Sequence, residues 1–297
     1  MVAPTVVATL VVAALASLFM AWTIGAGSSG STPFAPAVGA NAISIMRAGF
    51  LVGVLGLLGA VLQGANVTEA VGTELIVGDT LSGGAAAIAL VIAASLVAVG
   101  IFTGYPIATA FTVTGAVVGV GLAMGGGPAW SKYGEIGALW IGTPFIGGGA
   151  AYVTARLLRS PARSTPLILG FLGGIVGLIL GSVQFVFLAP GSEQASLAQA
   201  VVSELGGGLV TYAATSLVVA AAIGGLLVYR ARRTPARTQQ RFLLALGGLV
   251  AFSAGGSQVG LAIGPLVPLF DGFDVPLVAL LVGGGLGLLV GSWTGAP

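Results

Sequence analysis

The chain has 297 residues, of which only ten are basic and eight acidic, while 57% are hydrophobic and the mean hydropathy is +1.10. Soluble domains carry about a quarter charged residues, so this composition excludes a water-soluble fold and implies a helical protein that crosses the bilayer several times. With no cysteine and no histidine, disulfides, thiolate sites, the commonest metal ligand and histidine proton relays are excluded too.

The charges fall in short clusters between about nine apolar segments. In chain order these are expected at 3–24, 48–62, 85–102, 113–124, 136–158, 166–189 and 209–229, then a segment from 242 that breaks near Gly255, and 275–293. The first segment lacks a basic leading region and continues into further spans, so it reads as a retained helix. The fourth is short for a full span. Arginines 156, 159 and 163 share one gap and arginines 230, 232, 233, 237 and 241 another, whereas Glu69, Glu74 and Asp79, then Glu193 and Glu204, then Asp271 and Asp274, mark the others. Cytoplasmic loops carry the arginines, and every cluster fits one parity: N-terminus outside, C-terminus inside a cell membrane. The basic excess thus reports topology and not nucleic acid.

Small polar residues without charge interrupt the apolar runs at 25–40, 103–114 and 253–268. Irregular backbone at membrane depth is tolerated only inside protein or beside a wet cavity. The first and third interruptions align, Ala21-Trp22-Thr23-Ile24-Gly25-Ala26 with Ala251-Phe252-Ser253-Ala254-Gly255-Gly256, on spans of opposite direction. The expectation is an all-α polytopic membrane protein with inverted-topology repeats and broken helices, as in secondary transporters. Residues 1–158 would form the first repeat, 159–241 the middle spans with their arginine loops, and 242–297 the start of the second repeat.

These segments resemble the inorganic phosphate transporter (PiT) family, which carries a G-A-N-D-V-A-N-A block in each inverted half and a P-V-S-T-T-H-like turn. The first block stands here as Gly25-Ala26-Gly27-Ser28-Ser29-Gly30-Ser31-Thr32, and the second as Gly255-Gly256-Ser257-Gln258-Val259-Gly260-Leu261-Ala262 followed by Ile263-Gly264-Pro265-Leu266. The turn stands as Pro106-Ile107-Ala108-Thr109-Ala110-Phe111-Thr112. The resemblance implies a permease for inorganic phosphate working by alternating access. It places substrate ligands at Thr109, Ser28, Ser29, Ser31, Thr32 and Ser257, and a coupling-ion site at Ser28 and Gln258. The family's two aspartates are Ser28 and Gln258 here, and Phe111 stands in place of the histidine. A hard cation gains from carboxylate ligands, so coupling to sodium or protons stays open.

Bland readings compete with these roles. The Thr109 hydroxyl could bond back to its own helix, and the serines could serve close helix packing. Gln258 is harder to dismiss, since a long amide at membrane depth needs partners. The family continues beyond the last span into a second such turn, which leaves a fragment, a homo-oligomer or a complementing subunit as alternatives. Other readings are a degenerate non-transporting subunit and a carrier of another small anion such as sulfate. No nucleotide-binding loop or catalytic constellation is present, so no enzyme, and no cofactor beyond a coupling ion, is expected; the lipid bilayer is the remaining partner.

Overall fold

A computed structural model describes residues 4–29, 32–78, 81–105, 107–159, 164–185, 188, 195–271, 273 and 275–295. Helix dominates because in lipid every backbone polar group must be satisfied within its own segment. Helix α1 (Pro4–Ile24) runs into a π-helical turn (Gly25–Ser29), a 3₁₀ turn (Thr32–Phe34) and the five-residue α2 (Ala35–Gly39). Then come α3 (Ile45–Gln63), α4 (Ala65–Thr73), strand β1 (Ile76–Val77), α5 (Gly83–Thr103), α6 (Thr109–Ala123) and strand β2 (Gly127–Pro128). Helix α7 (Trp130–Leu158), α8 (Thr165–Ser182), strands β3 (Gln184–Phe185) and β4 (Ala195–Ser196), α9 (Leu197–Leu205) and α10 (Gly208–Arg233) follow. The chain then forms α11 (Pro235–Ile263), a 3₁₀ turn (Gly264–Leu266), α12 (Val267–Asp271) and α13 (Leu277–Thr294). β1 pairs antiparallel with β2, and β3 with β4.

Eight of these helical segments are long and apolar enough to span a bilayer, and α6 is a shorter apolar helix. The nine expected segments are all present, including the short fourth one. Two interruptions sit differently from expectation. The second is confined to Gly104–Ala108: Gly104 closes α5 with φ of +74°, and α6 has begun by Thr109. The third does not break at Gly255. Helix α11 continues to Ile263, and the interruption falls at Gly264–Leu266. Glycine costs a helix only about 1 kcal/mol against alanine, and Gly255, Gly256 and Gly260 are spent on close contact with a neighbour. Pro265 removes an N–H and its ring clashes with the preceding turn.

By packing, the chain forms two compact units, residues 1–135 with 247–297, and residues 136–246. In the second unit α8 and α10 lie antiparallel. Gly170 faces Val228, Gly177 faces Ala220 and Gly181 faces Ser216, so a flat glycine face admits the opposing backbone. Leu169, Ala231 and Phe242 form a buried cluster with Leu172, Val176, Leu227 and Leu246 against it. This packing division concerns contacts, whereas the expected boundaries at 158 and 241 concern chain symmetry.

Candidate functional site

The first unit is organised by glycines whose missing side chains are replaced by a neighbour's backbone. A methyl group on Gly25 would lie 2.2 Å from the Leu288 carbonyl oxygen, and one on Gly291 would lie 2.1 Å from that of Trp22. The same pair of contacts recurs between α11 and α3. A methyl on Gly255 would meet the Gly56 carbonyl at 2.0 Å, and one on Gly59 the Phe252 carbonyl at 1.8 Å. Further pairs match: Ala26 with Gly295 and Gly256 with Gln63, Leu18 with Gly287 and Gly248 with Leu55. Each residue of α1 corresponds to one of α11, 22 to 252 and 25 to 255, and each of α3 to one of α13, 56 to 288 and 59 to 291.

The directions of these pairings define the symmetry. Along α1 the contacts at 18, 22 and 26 meet 287, 291 and 295 of α13, so those helices run parallel, and α11 and α3 do likewise. Between α3 and α13 the order reverses, with Gly53 on Leu289 and Gly285 on Leu57. α1 and α11 are therefore antiparallel, and the two repeats are inverted. The succession after the long helix is also repeated. A 3₁₀ turn, a five-residue helix and a long helix follow at 32–34, 35–39 and 45–63, and again at 264–266, 267–271 and 277–294. One contact lies a residue off this symmetry: Ser17 donates to the Ala262 carbonyl at 2.8 Å, while its counterpart Gly247 abuts the Pro33 carbonyl.

The α3–α13 crossing passes through the level of residues 55 and 287. Gly25 sits against Leu288 and Gly255 against Gly56, so both signature stretches begin within one residue of that crossing. The first stretch then becomes the π-helical turn, a geometry that occurs as short bulges and often at functional sites. Gly27 presses on Ile101 and Val97 of α5, while Gly100, between them, is covered by Ile107 and the Tyr105 carbonyl. The last turns of α5 thus support both the π-helical turn and the turn that leads into Thr109.

Of the sequence-predicted ligands, Ser28 and Ser29 lie on the π-helical turn, and Ser31 is outside the described residues. Thr32 is exposed at the start of its 3₁₀ turn. Ser257 is exposed and donates back to the Ser253 and Ala254 carbonyls, both at 3.2 Å. Thr109 is 5% exposed at the first position of α6, and its hydroxyl oxygen has no hydrogen-bond partner among the described residues. Gln258 keeps an enclosed side-chain carbonyl with no partner among the described residues. The bond back to the helix, weighed for Thr109, is what Ser257 makes and Thr109 does not.

Sequence reasoning overlooked Ser292. It is fully buried on α13 with a hydroxyl that has no partner among the described residues, and its backbone nitrogen would lie 2.8 Å from a methyl on Gly25. The signal available was a hydroxyl at the position equivalent to Ala60 of the first repeat, near the end of a mostly apolar span.

A model of the phosphate transporter family matches residues 24–297. The chain belongs to the phosphate transporter family. Among the family's similar members are two archaeal proteins named "putative phosphate permease". The one from Pyrococcus furiosus is 26% identical, with 96% of this chain and 73% of that protein covered. The one from Pyrococcus horikoshii is 28% identical over 93% of this chain and 72% of its own. A protein of Arabidopsis thaliana named chloroplastic inorganic phosphate transporter 2-1 is 28% identical over 51% of this chain and 27% of that protein. The fold is shared with a solved structure titled the sodium-dependent phosphate transporter, with a TM-score of 0.76 at 22% identity, covering 96% of this chain and 75% of that one. Among the described residues no group of histidine, cysteine or acidic side chains could hold a metal.

Proposed function

We propose that this chain is a permease that moves inorganic phosphate across the membrane by alternating access, with the two inverted repeats rocking about the α3–α13 crossing. It is a carrier and not an enzyme. The repeats are taken as 1–158 and 242–297, with 159–241 between them. The observation that carries the reading is Thr109. Its hydroxyl is buried without a partner, at the start of a helix that no side chain caps, among the described residues. In a bilayer a buried hydroxyl needs a polar partner. A phosphate oxygen supplies one and is favoured by the positive end of the helix dipole. Ser28, Ser29, Ser31 and Thr32 of the first signature and Ser257 of the second complete the substrate set. Ser28 and Gln258 take the positions where a coupling ion, sodium or a proton, would be sensed.

The arginine-rich loops face the cytoplasm in this reading, with the N-terminus outside and the C-terminus inside. A cysteine replacing exposed Thr234, in a chain that has none of its own, should be shielded from an impermeant maleimide in intact cells and label after permeabilisation. The transport reading is tested by radiolabelled phosphate uptake into proteoliposomes. Saturable uptake, competed by phosphate and not by equimolar sulfate, is expected. Uptake no faster than in protein-free liposomes, or equal competition by sulfate, overturns it.

A further inference from the structure

The second unit ends in a crown of arginines that the transport reading does not use. Arg156 and Arg159 end α7, Arg230, Arg232 and Arg233 end α10, and Arg237 and Arg241 open α11. The antiparallel register of α8 and α10 puts the end of α10 level with the start of α8, which follows α7 by a short connection. The buried Leu169–Ala231–Phe242 cluster fixes this end of α8, α10 and α11 together. All seven arginines are exposed, and none has a carboxylate within ion-pair distance among the described residues. Between residues 136 and 246 the only acids are Glu193 and Glu204, in the connection that leaves the other end of α8.

We propose that this crown is a binding surface for anionic phospholipid, gripping headgroup phosphates at the leaflet it borders. Topogenesis asks only for positive charge on this side, and lysine would serve. Yet the single lysine of the chain is elsewhere, paired with Glu74, and every cation here is arginine. The planar guanidinium fork binds phosphate oxygens in pairs, which an ammonium does not. Depth also points to lipid. Tyr152 and Tyr229 are exposed one turn before Arg156 and Arg233, on two apolar spans. Tyrosines at that position mark the interfacial belt, which sets the arginines at headgroup level. The Arg233 guanidinium lies 4.6 Å from the centre of the Tyr229 ring, a contact that orients it without neutralising it. An open cleft of about 460 Å³ lined by Tyr152, Ala155, Arg156 and Arg159 offers room for a headgroup.

Native mass spectrometry of the full chain released from nanodiscs of equal phosphatidylglycerol and phosphatidylcholine tests this. Phosphatidylglycerol should be retained in clear excess by the wild type. The excess should fall about thirtyfold in R156Q/R159Q and in R237Q/R241Q, given roughly 1 kcal/mol for each of the two basic residues removed near an anionic surface. R156K/R159K should recover only part of it, because charge returns without the fork. Equal retention of the two lipids by the wild type overturns the proposal, and this arm needs no variant to fold. An excess unchanged in both glutamine variants also overturns it. Displacement of the lipid by millimolar inorganic phosphate would make this a site for free anions and overturn the lipid assignment.

Discussion

At Thr109 fold and function pull in opposite directions. A buried hydroxyl without a partner forgoes about 1–3 kcal/mol of hydration, so Thr109→Val should leave the melting temperature unchanged or raise it. If the hydroxyl holds phosphate, the same change should slow uptake by about tenfold or more, roughly 1.4 kcal/mol. A valine variant that transports at the wild-type rate would remove Thr109 from the site. Glycines separate just as sharply. Gly59→Ala drives a methyl into the Phe252 carbonyl, a backbone atom that cannot turn aside, and should cost about 1–3 kcal/mol or more. Gly225→Ala on α10 meets nothing within 4 Å and should be neutral or slightly stabilising. Equal effects of the two in a thermal melt would contradict the close approach. From the sequence alone the two glycines look alike, because what distinguishes them is a carbonyl from a helix about 190 residues away in one case and open space in the other.

At the scale of elements, the inverted repeat makes a paired prediction. Gly295 and Gly256 occupy equivalent places: a methyl on Gly295 would lie 2.5 Å from the Ala26 Cβ, and one on Gly256 2.8 Å from the Gln63 Cβ. Both approaches are well inside carbon contact distance, so Gly295→Ala and Gly256→Ala should each destabilise by about 1–3 kcal/mol. A thermal melt in which one change has this cost and the other none would break the equivalence. The repeat itself was legible in the sequence: the alignment of Trp22 with Phe252 and of Gly25 with Gly255 is the register that the backbone contacts display. The position of the second break was not. The equivalence steps from 230 residues before the break to 232 after it, and that two-residue difference falls where the first repeat forms its π-helical turn and the second stays α-helical. A run of Gly-Gly-Ser looked like an interruption because glycine is a poor helix former in isolation. Packing against α3 overrides that preference, and the helix yields only at Gly264-Pro265.

For the whole molecule, the open matter is what drives transport. Membrane class, helix count and inverted architecture follow from hydropathy and charge placement, since the bilayer enforces them. Coupling depends on a few atoms, and there the chain departs from its family's pattern, with Ser28 and Gln258 where aspartates are expected. At an effective dielectric near 20, one ion pair at about 4 Å contributes roughly 4 kcal/mol before desolvation, and two such pairs are absent. Part of this is offset, because an ionised aspartate at membrane depth is itself costly. The enclosed Gln258 carbonyl and the Ser292 hydroxyl, both unpartnered among the described residues, are neutral oxygens, and a cation site built from neutral oxygens would bind less tightly than one with carboxylates. Phosphate uptake by this chain should therefore vary little between sodium and potassium buffers. Ser28→Asp combined with Gln258→Asp should steepen the sodium dependence by restoring two charges. Initial rates of uptake against sodium concentration, for both proteins in the same liposomes, decide the matter. Steep, saturable activation of the unaltered chain by sodium would mean that neutral oxygens alone build its cation site, and that the missing aspartates have no bearing on coupling.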